Sequence, residues 1–308
     1  MNNVTILGGG VLGTQIAFQC AYTGKNVTIW LRSEDSKTRT IPKLENSKET
    51  YIKEINLMSE NGYELPGLKI SDNFDKNKSL SRVNEAFNNI KIELDLKNSL
   101  EGADLVIESM SENIEAKRDV YTKINKLLSK NTIVVSNSST MLPSKLVKYL
   151  DNKANFLALH FANSIWKNNT AEVMKQKYTS DESFEKVIDF AKSINMITLP
   201  LYKEKSGYLL NSMLIPFLFS ALDLFANEIS DVESIDLAWK KGTGSPKGPF
   251  EILDIIGLKT AYEIVSMYLK VPSFLAPYNF KAIAKLLQKY IDEGKLGKST
   301  NVGFYKYD

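Results

Sequence analysis

The 308-residue chain carries 39 Lys and Arg against 36 Asp and Glu, and 43% of its residues are apolar. A net charge of +3, dispersed along the chain, excludes a general affinity for nucleic acid or an anionic membrane and leaves any anionic partner to be recognised locally. The length sets an expectation of two domains with sizeable cores. The single Cys20 excludes an internal disulfide, and the start MNNVTILGGG lacks the basic region and long apolar stretch of a secretory signal, so a reducing cytoplasm is expected.

In chain order, VTIL (Val4 to Leu7) predicts a β-branched strand, the periodic stretch Val11 to Ala21 a helix, and VTIW (Val27 to Trp30) a second strand. From Glu34 to Asn89 the composition turns polar and lysine-rich, with Pro42 and Pro66 as breakers, and one or two exposed helices are expected. Strands are predicted at Ile90 to Leu94, Asp104 to Ser109, Thr132 to Ser136 and Phe156 to Phe161, with helices at Asn113 to Leu128 and Leu142 to Leu150. Strands alternating with helices predict a parallel sheet covered on both faces. After about Tyr202 only helical patterns follow: Gly207 to Glu228, Val232 to Lys240, Phe250 to Met267 and Phe280 to Glu293. The first of these is apolar, but Asn211, Pro216 and Asp223 interrupt it, which argues for a buried helix and not a membrane span. The expectation is an α/β doubly wound domain over residues 1–200 and an all-helical domain over 201–308.

Gly8, Gly10 and Gly13 form G-x-G-x-x-G directly after a strand and at the opening of a helix. The first glycine permits a tight turn, the second lets backbone approach a pyrophosphate, and the third lets helix and strand pack closely. Val11 and Leu12, at the helix N-terminus, then offer backbone N–H groups to the phosphate. This context predicts a Rossmann-type dinucleotide site. An NAD-specific site usually ends its second strand with an acid for the ribose 2′-hydroxyl, whereas this chain has Leu31, Arg32 and Ser33. A guanidinium beside a hydroxyl suits a 2′-phosphate, so NADP(H) is expected over NAD(H). The alternative is that Glu34 or Asp35 turns back to the ribose and Arg32 is a solvated charge.

His160, the only histidine, ends the apolar run FLALHF. On its own it reads as a packed core ring, though it is also the side chain best suited to move a proton near neutrality. One histidine and one cysteine cannot supply a usual zinc site, and no metal is expected.

The segments GGGVLG, IESMSENIEAK, SNSST, HFAN, SGYLLN, GTGSPKGPFEILDIIGL and GKLGKSTNVGFYKY occur in this order. In them the sequence resembles the 3-hydroxyacyl-CoA dehydrogenase family nearly end to end. The resemblance implies oxidation of an L-3-hydroxyacyl-CoA to the 3-ketoacyl-CoA by hydride transfer to a nicotinamide dinucleotide, in fatty acid metabolism, by a homodimer. It makes His160 the general base, Glu172 its orienting partner, and Ser139 and Asn211 the groups holding the reacting oxygen. It also brings Glu112, Lys117 and Asn137 towards the nicotinamide half of the cofactor. The sequence departs from the family at Ser164 and Ser206, where proline is usual, at Ser212, where arginine commonly stands, and at Lys247, where methionine does. Ser164 and the residues after it border the expected acyl end. The substrate class therefore stays open between an acyl-CoA and a small hydroxy acid of the L-carnitine or L-gulonate type, with a dinucleotide-binding protein without turnover as a third reading.

Overall fold

A computed structural model describes residues 1–69, 74–272 and 274–307. The chain divides into two units, Met1–Leu209 and Leu210–Asp308. No helix among the described residues is long and apolar enough to cross a membrane.

The first unit opens with β1 (Asn3–Leu7), α1 (Val11–Tyr22) and β2 (Asn26–Trp30), followed by α2 (Glu34–Asn61), α3 (Lys76–Asn89), β3 (Lys91–Glu93) and α4 (Leu96–Leu100). It continues through β4 (Leu105–Glu108), α5 (Ile114–Asn125), β5 (Ile133–Ser136), α6 (Pro143–Leu146), β6 (Phe156–Phe161), β7 (Thr170–Met174), α7 (Asp181–Ser193) and β8 (Ile197–Leu201). The strands form one sheet in the order β3-β2-β1-β4-β5-β6-β7-β8. The first six are mutually parallel and follow the dinucleotide-fold order. Their apolar residues are buried on both faces: Ile6, Ile29, Ile107 and Val135 belong to one core, Leu7, Val106 and Val134 to another. This accounts for the near-continuous apolar strands of the sequence.

The six strands expected from the sequence are parallel, and the sheet extends beyond them through β7, which runs antiparallel to β6. The chain reverses through a short connection in which Ser164 adopts φ +57°, too short for the crossover a parallel neighbour requires. The segment that holds β7, α7 and β8 was also silent to the pattern reading. The strand β8 contains Pro200, which suits its place at the sheet edge but reads as a break in the sequence. The polar stretch after β2 is likewise more than exposed helix. The helix α2 continues through Pro42 and buries Leu44, Tyr51, Ile55 and Met58, and α1 buries Cys20, whose thiol burial pushes up to about 12.

The second unit comprises α8 (Leu210–Ala226), α9 (Val232–Thr243), α10 (Pro249–Ile256), α11 (Leu258–Ser266) and α12 (Phe280–Asp292). They enclose a core built on Leu222, Phe250, Leu253, Val265 and Ile283. The stretch predicted as one helix from Phe250 to Met267 breaks at Gly257, whose φ of +93° no helix accommodates.

Candidate active site

The crevice of a doubly wound sheet opens where neighbouring strands send their connections in opposite directions, here between β1 and β4. Gly8 follows β1 with φ +116°, and a Cβ there would lie 2.6 Å from the Ser109 carbonyl oxygen, just beyond β4. A Cβ on Gly13 would meet the Gly8 carbonyl oxygen at 2.4 Å, whereas one on Gly10 would meet nothing within 4 Å. Gly8 and Gly13 thus allow the turn to form, and Gly10 keeps open space above it. The N-cap residue of α1 is Gly10, which has no side chain to cap the helix, so the backbone N–H groups of Val11 and Leu12 there suit an anion. These residues fit the pyrophosphate of a dinucleotide.

Beside this turn lies a cleft whose lining includes Gly10, Arg32, Ser36, Arg39 and Lys43. Arg39 donates to Ser36 Oγ (3.2 Å), and Lys43 donates to the Gly9 carbonyl (3.2 Å). Ser33 caps α2 by accepting from Ser36 N (3.3 Å). Glu34 and Asp35 occupy the exposed first turn of α2, and neither lines the cleft. The sequence points to Arg32 and Ser33; of these Arg32 lines the cleft and Ser33 does not, whereas Ser36, Arg39 and Lys43, to which it does not point, do. The signal was their recurrence along one face of α2, at helical spacing from Arg32.

The second constellation sits at the ends of β5 and β6. Antiparallel register places His160 opposite Glu172, and Nδ1 lies 2.9 Å from Glu172 Oε2. The other ring nitrogen, Nε2, lies 3.0 Å from Ser139 Oγ. The second carboxylate oxygen of Glu172 accepts from Leu209 N (2.9 Å). A carboxylate only accepts, so Nδ1 carries a proton, and in the neutral ring Nε2 presents its lone pair towards Ser139. The imidazole side chain is 15% exposed and Glu172 8%, which leaves the ring an open edge. Tyr208 stacks on it, with ring centroids 4.5 Å apart and planes at 22°.

Glu112 ties down the turn that carries Ser139, accepting from Ser138 Oγ (2.7 Å), Ser139 N (3.1 Å) and Thr140 Oγ1 (3.1 Å). Asn137 accepts from Phe161 N (3.0 Å) and so fastens the β5 turn to β6. Lys117 is no solvated helix residue: it is fully buried and donates to Glu108 Oε1 at 2.6 Å, with neither side chain exposed. Glu108 also accepts from Met110 N and Ser136 Oγ, both at 2.8 Å. Asn211 belongs to the second unit, where it borders an apolar cleft with Leu214, Ile215 and Ile264.

A Ser–His–carboxylate relay of this kind can serve an acyl-transfer nucleophile or a proton exchanged with an alcohol oxygen. Its neighbour in the same unit is a dinucleotide turn, and comparison with known proteins bears on the choice. Residues 3–205 match the model of the 3-hydroxyacyl-CoA dehydrogenase NAD-binding domain, and residues 207–307 that of the C-terminal domain. The human mitochondrial hydroxyacyl-coenzyme A dehydrogenase is 31% identical over 307 residues, covering 100% of this chain and 91% of that protein. The solved structure of a diketoreductase, an enzyme of dual catalysis of dicarbonyl compounds, is 42% identical with a TM-score of 0.82, covering 100% of this chain and 99% of that one. The (S)-3-hydroxybutyryl-CoA dehydrogenase of Ralstonia eutropha is 25% identical with a TM-score of 0.76, at 100% and 99% coverage. The two matches follow one another along nearly the whole chain, and the chain belongs to the 3-hydroxyacyl-CoA dehydrogenase family.

Proposed function

We propose that the chain interconverts an L-3-hydroxyacyl-CoA and the 3-ketoacyl-CoA, with His160 as general acid/base and NADP(H) preferred over NAD(H). The observation that carries this reading is the imidazole held by Glu172 at Nδ1 while Nε2 faces Ser139 Oγ. A bound nicotinamide dinucleotide supplies the hydride or takes it up. In the oxidative direction His160 Nε2 removes the hydroxyl proton, and Glu172 favours the imidazolium that forms. In the reductive direction the same nitrogen returns the proton to the carbonyl oxygen. Ser139 Oγ, beside Nε2, holds that oxygen in reach, and Glu112 holds the turn that positions Ser139. The exposed apolar residues Met213, Leu237 and Ile255 of the second unit support pairing with a second copy.

The cofactor preference is supported by the basic cleft: Arg32 beside Ser36, Arg39 and Lys43, with no carboxylate among the described residues that line it. A 2′-phosphate would meet charge-assisted donors there. Arg32→Ala is expected to raise KM for NADPH about tenfold and to leave KM for NADH unchanged; a parent enzyme that prefers NADH removes this part of the reading.

A second reading keeps the hydride chemistry and changes the substrate to a dicarbonyl compound or keto acid free of coenzyme A. Two observations favour it: the 42% identical diketoreductase, and the altered path at Ser164, whose φ of +57° and N–H bond to Gln15 Oε1 (2.9 Å) are both closed to proline. The deciding experiment follows NADPH and NADH absorbance with acetoacetyl-CoA beside a panel of free diketones and keto acids. Higher kcat/KM for the thioester supports the first reading, and higher kcat/KM for a free diketone the second. Absence of turnover with every ketone leaves a dinucleotide-binding protein. His160→Ala is expected to lower the rate about a hundredfold with dinucleotide affinity kept.

A further inference from the structure

Tyr208 stands at a backbone position that its side chain disfavours. Its φ is +53°, directly after Gly207 at +80°, and a bulky aromatic residue rarely occupies this left-handed region. Something beyond local preference keeps the ring there. Its face stacks on the His160 imidazole at 4.5 Å, and its hydroxyl donates to the Ser138 carbonyl (2.7 Å), in the turn that carries Ser139. The next residue, Leu209, donates its N–H to Glu172. Two successive residues of one strained turn therefore touch the imidazole, its orienting carboxylate and the serine turn.

We infer that Tyr208 is a positioning residue for proton transfer: its ring fixes the plane of the imidazole and stabilises the imidazolium, and its hydroxyl fixes the ring to the serine turn. This rests on the reading of His160 as the base. An electron-rich face beside a cation is attractive, and a stack confines the ring to the orientation in which Nδ1 meets Glu172 and Nε2 meets Ser139. The charged groups around the stack are Glu172 on β7, Glu112 in the turn after β4, and Glu108 with its partner Lys117. Burial, with these carboxylates adding to it, holds the phenol well above its usual range, so it stays protonated and donates at every working pH.

The test compares Tyr208→Phe, which keeps the ring, with Tyr208→Asn, which tolerates the left-handed backbone and loses the ring. The readouts are the pH profile of kcat/KM for alcohol oxidation, the kcat and KM values separately, and dinucleotide binding by fluorescence titration. In Tyr208→Asn the acid limb of the profile is expected to move down by roughly half a pH unit. Its kcat should fall about tenfold while dinucleotide affinity is kept. Tyr208→Phe is expected to hold the limb where the parent has it and to lose only a few-fold in kcat. An unmoved limb in Tyr208→Asn, or turnover and dinucleotide affinity lost together, overturns the inference and makes Tyr208 a structural residue. His160→Gln is the control: if it keeps full turnover, the reading of His160 as base fails first, whatever the tyrosine variants do.

Discussion

Across the antiparallel pairing of β6 and β7, His160 and Glu172 are direct cross-strand partners, with Nδ1 and Oε2 2.9 Å apart. A sheet register is rigid compared with a loop, so the carboxylate is held on the imidazole by backbone hydrogen bonds on both sides. Glu172→Gln removes the charge and leaves one oxygen to serve both Nδ1–H and Leu209 N–H. The expected result is a fall in kcat of about a hundredfold. The acid limb of the kcat/KM profile should move to lower pH, because a neutral amide no longer favours the imidazolium. Steady-state assays across pH check both, and an unshifted limb would show that the carboxylate does not act on the ring.

Ser164 supplies a prediction about substrate and not about chemistry. Its φ of +57° and its N–H bond to Gln15 are both incompatible with proline, the residue usual at this position in the family. Ser164→Pro is expected to destabilise the protein by about 1–3 kcal/mol through the lost bond and the forced backbone change. Thermal unfolding reads the loss. Where enough folded enzyme remains, the ratio of kcat/KM for thioester and free diketone should shift, since Ile165 and Trp166 follow on the same path and are buried. An unchanged midpoint would mean that the native chain accepts the family's path after all.

Local chemistry was legible in the sequence, and long-range pairing was not. The turn Gly8, Gly10, Gly13 declares itself because its function lies in successive residues of one βαβ unit, and the sheet order agrees with it. His160 and Glu172 stand on different strands, joined by a reversal that no periodicity predicts, so their pairing followed from the resemblance and not from the residues. Tyr208 escaped notice for a related reason: only tertiary structure brings a left-handed turn against the imidazole. Lys117 reads as an ordinary lysine near the start of a charged helix, and nothing local shows that it is buried opposite Glu108.

That buried pair is expected to dominate the stability of its neighbourhood. Glu108 and Lys117 have no exposed side-chain surface, and Glu108 also receives Met110 N, Ser136 Oγ and, at 3.3 Å, the Tyr121 hydroxyl. Removing one partner of such a pair leaves the other charge without compensation at a cost of about 3–5 kcal/mol. Lys117→Met should show this in denaturant unfolding. The double variant Glu108→Gln with Lys117→Met should recover part of the loss, because both charges are then gone. A Lys117→Met enzyme as stable as the parent would mean that water or another cation reaches Glu108.

Gly10 and Gly13 provide the sharpest test of the dinucleotide site, because the two glycines are needed for different reasons. A methyl group on Gly13 would lie 2.4 Å from the Gly8 carbonyl oxygen, so α1 must move away from β1 before any ligand is considered. A methyl group on Gly10 would meet no atom of the described residues beyond its chain neighbours within 4 Å, and its N-cap backbone at φ −69° and ψ 177° is open to any residue. Gly13→Ala is therefore expected to lower the unfolding free energy, by about 1–3 kcal/mol as for other overpacked sites, and the dinucleotide affinity together. Gly10→Ala should leave the stability of the ligand-free protein unchanged within about 0.5 kcal/mol, while dinucleotide affinity is expected to fall at least tenfold if the space it fills is the approach of the pyrophosphate. Thermal unfolding with and without NADPH separates the two cases: Gly13→Ala shifts both curves, Gly10→Ala only the liganded one. Undiminished stabilisation of Gly10→Ala by NADPH would mean that the phosphates do not bind over this turn.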